Sequence, residues 1–88
     1  MVNDKKRKMQ QMTIFSESIS APVIKRSVTI AGHATSVSLE QPFWDELVRI
    51  AEQQKKTVSE LIEDIDTARQ TNLSSALRLF VLYELKSQ

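Results

Sequence analysis

The chain changes its hydrophobic period near Pro42. Before it, Ser27-Val28-Thr29-Ile30 and Thr35-Ser36-Val37-Ser38-Leu39 alternate polar and apolar residues. That is the two-residue repeat of a half-exposed strand. After it, apolar residues return every three or four positions, the repeat of a helix. The alternation predicts strands over 26–30 and 35–39. Ala31-Gly32-His33 lies between them and contains the single glycine of the sequence. Glycine reaches the positive φ of a tight turn, so a hairpin is the natural connection.

The helical repeat predicts three further elements. A first helix over 42–54 starts at Pro42, which the first helical turn tolerates because its missing N–H has no partner there anyway. Phe43, Leu47, Ile50 and Ala51 form its stripe, widened by Trp44 and Val48. A second helix over 58–69 follows Thr57-Val58-Ser59-Glu60, the pattern of a capping box with Thr57 as cap. Gln70-Thr71-Asn72 breaks the pattern. A third helix within 73–86 is apolar nearly all round from Ser74 to Leu85. Such a helix is expected to be covered on more than one side, in a chain this short by another subunit or a partner.

This order raises a burial problem. Val37 and Leu39 need cover, and the last strand ends with a row of unpaired N–H and C=O groups along its edge. A second copy solves both, with the two strands pairing antiparallel and the helices closing over one core. The expectation is an obligate homodimer whose core holds Val37, Leu39, Phe43, Leu47, Ile50, Leu61, Ile62 and Ile65. Leu77, Phe80 and Val81 on the third helix are assigned to a partner or to further assembly.

Composition narrows the choice of chemistry. At 88 residues the chain makes one small domain. It has no cysteine, which removes disulfides and thiolate metal sites. One histidine and one glycine leave no constellation for a catalytic triad, a zinc cluster or a glycine-rich phosphate loop. No enzyme activity, cofactor or metal is expected. Net charge is only +1, but Lys5, Lys6, Arg7, Lys8, Lys25 and Arg26 are half of the 12 basic residues. Residues 1–24 carry no sustained period and read as a flexible basic arm. The acids Glu60, Glu63, Asp64 and Asp66 come later, as a solvated face or as partners for Lys55 and Lys56. No stretch approaches the roughly 20 apolar residues of a membrane helix. No apolar run of signal-peptide length follows Lys8, so a cytoplasmic location is expected.

"TSVSLEQPFWDELVRIAEQQKKTVSELIEDI", residues 35–65, resembles the ribbon-helix-helix proteins, the MetJ/Arc class of bacterial repressors. An alternating strand, an amphipathic helix, a basic turn and a capped helix occur in that order. The resemblance implies a mainly α fold with a short β ribbon, a homodimer with an extra N-terminal strand and a C-terminal helix. The domain would span 25–69. Proteins of this class insert the paired strands into the major groove of double-stranded DNA. Carried onto this chain, base edges would meet Ala34, Ser36 and Ser38. Phosphates would meet Lys25, Arg26, Lys55, Lys56 and Thr57, with the amides of Val58 and Ser59 at a helix start. The chain departs from the family where a basic residue is common near 34 or 36. It has Ala34 and no Lys or Arg in that strand. Ser36 and Ser38 also suit the plain polar face of a strand. The function implied is a dimeric bacterial DNA-binding regulator. The alternative is a protein-interaction module, antitoxin-like or an oligomeric adaptor, working through the C-terminal helix.

Overall fold

The computed structural model describes residues 20–88. Most of the expected basic arm therefore lies outside the described residues. Two strands, β1 (Val23–Ile30) and β2 (His33–Glu40), are followed by α1 (Gln41–Gln53), α2 (Val58–Ala68) and α3 (Leu73–Lys86).

The strands form one antiparallel hairpin, in register from Val23 opposite Glu40 to Ile30 opposite His33. The turn is only Ala31-Gly32, with φ of 51° and 80°. Two central residues at positive φ make the turn type whose twist suits a tight hairpin. Both strands are longer than the alternation predicts. A two-residue turn returns His33 and Ala34 to the ladder. At the other end, β1 begins at Val23 because Ile24, Arg26, Val28 and Ile30 share its inner side. A charged residue at an inward position hides that repeat.

β2 runs straight into α1, with Glu40 still extended and Pro42 in the first turn. α1 ends on a left-handed residue, Lys55 at φ 57°. The Lys56 N–H donates to the Ala51 carbonyl at 2.9 Å and the Lys55 N–H to Glu52 at 3.1 Å. These are the paired closing bonds of a Schellman stop, where glycine is the usual left-handed residue. The capping box is formed. The Glu60 N–H donates to Thr57 Oγ1, and the Thr57 N–H donates to Glu60 Oε1, both at 3.1 Å. Asn72 caps α3, its Oδ1 accepting from the Ser75 N–H at 2.9 Å.

The three helices cover the inner face of the hairpin. The core joins Val28, Ile30, Val37 and Leu39 to Leu47, Ile50, Ala51, Leu61, Ile62, Leu77 and Val81. Phe43, Trp44, Val58, Ile65, Leu73 and Phe80 pack half-buried around it.

Two expectations change here. Val37 and Leu39 are 1% and 0% exposed within a single chain, so their burial does not require a second copy. β1 also supplies the antiparallel mate of β2. Leu77 and Val81, assigned above to a partner, are 0% and 1% exposed and belong to the chain's own core. The apolar side chains that α3 leaves exposed are Leu79, Leu82, Tyr83 and Leu85. Sequence period alone cannot say which side of an all-apolar helix turns inward.

Candidate nucleic-acid interface

Directly opposed residues on an antiparallel pair share a face, and successive residues alternate faces. The register therefore sorts the hairpin. Ile24, Arg26, Val28, Ile30, Thr35, Val37 and Leu39 lie on the helix side. Lys25, Ser27 and Thr29 of β1 share the open side with Ala34, Ser36 and Ser38 of β2. Lys25 stands opposite Ser38, Ser27 opposite Ser36, and Thr29 opposite Ala34. These side chains are small or flexible, so the open side is low and polar apart from Val23 at its end.

Two adjacent basic residues are split by this alternation. Lys25 is exposed. Arg26 turns the other way, with its guanidinium over the Trp44 ring at 4.6 Å from the centroid. There the ring's negative face attracts the cation while the aliphatic stem covers apolar surface. Arg26 Nη2 donates to Gln41 Oε1. Gln41 Nε2 in turn donates to Asp45 Oδ1 at 2.7 Å. Arg26 thus ties the hairpin to the first turn of α1.

The outer edge of β2 is met by α3. The Ser38 N–H donates to Ser74 Oγ at 3.2 Å, and Arg78 Nη2 donates to the Ser38 carbonyl at 3.3 Å. Arg78 Nε also pairs with Glu40 Oε1 at 3.1 Å. The Glu40 carboxyl is held below the usual carboxylate range by its own backbone N–H and then by Arg78. Side chains from a helix satisfy part of the edge that the sequence assigns to a second copy.

The basic turn is also divided. Lys56 Nζ pairs with Asp64 Oδ2 at 2.6 Å, whereas Lys55 is exposed with no carboxylate partner among the described residues. The capping box consumes the amides of Thr57 and Glu60. Those of Val58 and Ser59, at the first two helical positions, have no intrahelical partner by helix geometry. Thr57 Oγ1 is occupied as an acceptor in the cap.

Sequence reasoning put Ser36 and Ser38 on the open side and named Lys25 as a phosphate contact, but it did not name Ser27 or set Lys25 opposite Ser38. The signal was present. A turn of two residues at Ala31-Gly32 sets Ile30 opposite His33, and counting back reaches Lys25 opposite Ser38. Among the described residues no group of three or more His, Asp or Glu side chains could hold a metal ion. No described helix is long and apolar enough to cross a membrane.

A polar-faced antiparallel ribbon, a helix that follows it directly and a second helix opened by a capping box define a ribbon-helix-helix architecture. Residues 23–85 match the family model described as "Ribbon-helix-helix domain", and the chain belongs to that family. It is a family of non-enzymatic DNA-binding domains. Among solved structures, the chain is similar to an "uncharacterized protein" from Bordetella pertussis Tohama I. The TM-score is 0.66 with 36% identity, over 88% of this chain and 67% of that one. Comparison with curated proteins gives no match.

Proposed function

We propose that this protein is a dimeric bacterial DNA-binding regulator that inserts its ribbon into the major groove. The observation that carries the reading is the open side of the hairpin. Lys25, Ser27, Ala34, Ser36 and Ser38 form a low polar surface on a rigid two-stranded base. The major groove is wide enough for such a ribbon. Ser36 and Ser38 meet base edges there, each hydroxyl able to donate or accept. Lys55 and the amides of Val58 and Ser59 meet phosphates, because a helix start attracts anions. Arg26 acts behind the ribbon, holding it on α1, rather than at the backbone of DNA. The protein works where bacterial DNA is, in the cytoplasm.

The test is retention of random-sequence duplex DNA by the full chain at low salt, followed by selection of a preferred site. Binding should weaken steeply as salt rises, since each neutralised phosphate releases a counterion. Absence of any retention at low salt would remove the reading.

A specific observation supports a second reading, a protein-interaction module. Leu79 and Tyr83 on α3 are 60% and 66% exposed. They border a groove of about 730 Å³ that also touches Leu61, Ile65, Ala68 and Phe80 of α2 and α3. A second copy of this chain is the occupant that agrees with the dimer proposed above; a different protein is the occupant in the second reading. Deleting α3 cannot separate them, because Leu77 and Val81 would leave the core with it. Light scattering on Leu79→Glu and Tyr83→Glu does. Conversion of a dimer to a folded monomer supports self-association, while an unchanged mass with loss of one stoichiometric partner supports the module.

A further inference from the structure

A strand N–H points one way, so a bond to a helix and a bond to a neighbouring strand exclude each other. We propose that the start of α3 is an autoinhibitory clamp. Ser74 and Arg78 hold the place on the β2 edge that the same strand of a second copy would occupy, and full pairing of the two copies requires that they let go. The inference rests on the dimer proposed above and concerns what shields the free chain.

The first observation is which edge groups are open. In an antiparallel hairpin alternate residues bond to the opposite strand, and the others turn their N–H and C=O outward. Ser38 bonds outward to α3, so Ala34, Ser36 and Glu40 share its outward direction. Among the described residues, no other element bonds the backbone of Ala34 or Ser36. Unpaired groups of this kind are a template for another strand.

The second is where α3 interrupts that template. Ser74 Oγ accepts from the Ser38 N–H at 3.2 Å, and Arg78 Nη2 donates to the Ser38 carbonyl at 3.3 Å. Two side chains one helical turn apart thus take both edge groups of one residue. At Glu40 the N–H meets its own carboxylate, which Arg78 holds at 3.1 Å. A neighbouring strand lies about 4.7–4.9 Å from its mate. The side chains bonded to Ser38 fill that space. With α3 in place, two copies are left with Ala34 and Ser36 to exchange, a ladder at the short end of ordinary strands.

The third is how the clamp opens. Leu77 and Val81 are buried and anchor the middle of α3. Leu73, Ser74 and Ser75 form its first turn and are only half-buried, and Gln70, Thr71 and Asn72 before them are exposed. Segments with few buried contacts open at lower cost than core turns. Unwinding of that turn and rotation of Arg78 into solvent free the edge without dismantling the core.

The experiment compares the wild type with Ser74→Ala, Arg78→Gln and the double variant. Sedimentation equilibrium gives the dimer affinity, and amide hydrogen exchange is followed at low and high protein concentration. Loss of the clamp should tighten the dimer by roughly tenfold, the worth of one or two hydrogen bonds. A merely structural contact has the opposite sign, since its loss weakens the fold and the dimer together. In the dilute wild type the Ser38 amide should be protected, and Ser74→Ala should expose it. On dimerisation the amides of Ala34 and Ser36 should gain protection. Those of Ser75 and Ala76, bonded to Asn72 at 2.9 Å in the free chain, should lose it in the wild type itself. That readout needs no variant to fold. If the dimer leaves Ala34 and Ser36 exchanging freely, or keeps Ser75 and Ala76 fully protected, the inference fails while the dimer stands. If neither the wild type nor the double variant dimerises at any concentration, both fail together.

Discussion

Arg78 on α3 reaches across 38 positions to Glu40 at the end of β2, with its Nε 3.1 Å from Glu40 Oε1. The same guanidinium bonds the Ser38 carbonyl at 3.3 Å. One side chain therefore joins the last helix to the ribbon at the point where β2 becomes α1.

This contact makes stability depend on pH in a defined direction. The Glu40 carboxyl is held below its ordinary value of 4.5, by its own backbone N–H and by Arg78. A lowered folded pKa means that its stabilisation is present above 4.5 and is lost as pH falls through the lower folded value. Thermal melts of the wild type and Glu40→Gln between pH 7 and pH 3 test this. The gap favouring the wild type should hold down to about 4.5 and then close. A gap that stays constant to pH 3 would show that the Glu40 charge contributes nothing.

The ribbon is expected to be intrachain in solution. Ser27 and Ser36 are opposed on the open side, and the chain has no cysteine of its own. Ser27→Cys combined with Ser36→Cys should oxidise to a crosslink within one chain, a single band of monomer mass on a non-reducing gel. A covalent dimer as the main product would mean that the two strands exchange between copies.

The turn contains a removable strain. Ala31 sits at φ 51°, a region its Cβ disfavours by roughly 1–2 kcal/mol. Ala31→Asn restores the preferred Asn-Gly turn and should stabilise the fold by about 0.5–1 kcal/mol. Gly32→Ala should cost about 1 kcal/mol or more. At φ 80° an added Cβ would meet nothing within 4 Å, so the cost is conformational, not steric crowding by neighbours. Urea unfolding of the two variants should shift in opposite directions.

Lys55 occupies a left-handed position that glycine would hold without strain. Lys55→Gly should therefore raise stability by roughly 0.5–1 kcal/mol. If Lys55 anchors a phosphate, the same change should lower DNA affinity and reduce the salt slope by about one. Opposite signs in urea unfolding and salt-dependent binding would mark a residue kept for its charge. A variant that binds as well as the wild type would leave Lys55 as a solvated turn.

The two sides of α3 should respond differently to truncation. Leu77→Ala removes a wholly buried side chain and should cost about 2–5 kcal/mol. Leu79→Ala, at 60% exposure, should change chain stability by less than about 0.5 kcal/mol at concentrations where the protein is monomeric. Denaturant melts at low and high protein concentration separate this from any loss of association.

Much of the architecture follows from local chemistry that a sequence displays directly. The alternation around Val37 and Leu39, the Thr57–Glu60 box and the stripe of Leu47 and Ile50 are each set by neighbours within a few positions. They form for reasons of backbone geometry and solvation that hold wherever the segment lies. Lys55-Lys56 could be read as a turn for the same reason, though not the left-handed stop that Lys55 makes.

Other properties depend on residues far apart in the chain. A serine in an alternating strand looks the same whether its opposite number is Lys25, another serine or a second copy. Only the two-residue turn, and hence the register, decides that. Arg26 looks like a solvent-facing partner of Lys25 until Trp44 is brought beneath it. The nearly all-round apolar surface of α3 has no inward side until Leu77 and Val81 meet the core and Ser74 and Arg78 meet β2. Short-range periodicity determined the elements and their caps, because those energies are local. Which chain completes the ribbon, which lysine stands beside Ser38 and which side of α3 stays open were decided by packing, because those contacts exist only once distant segments share one core.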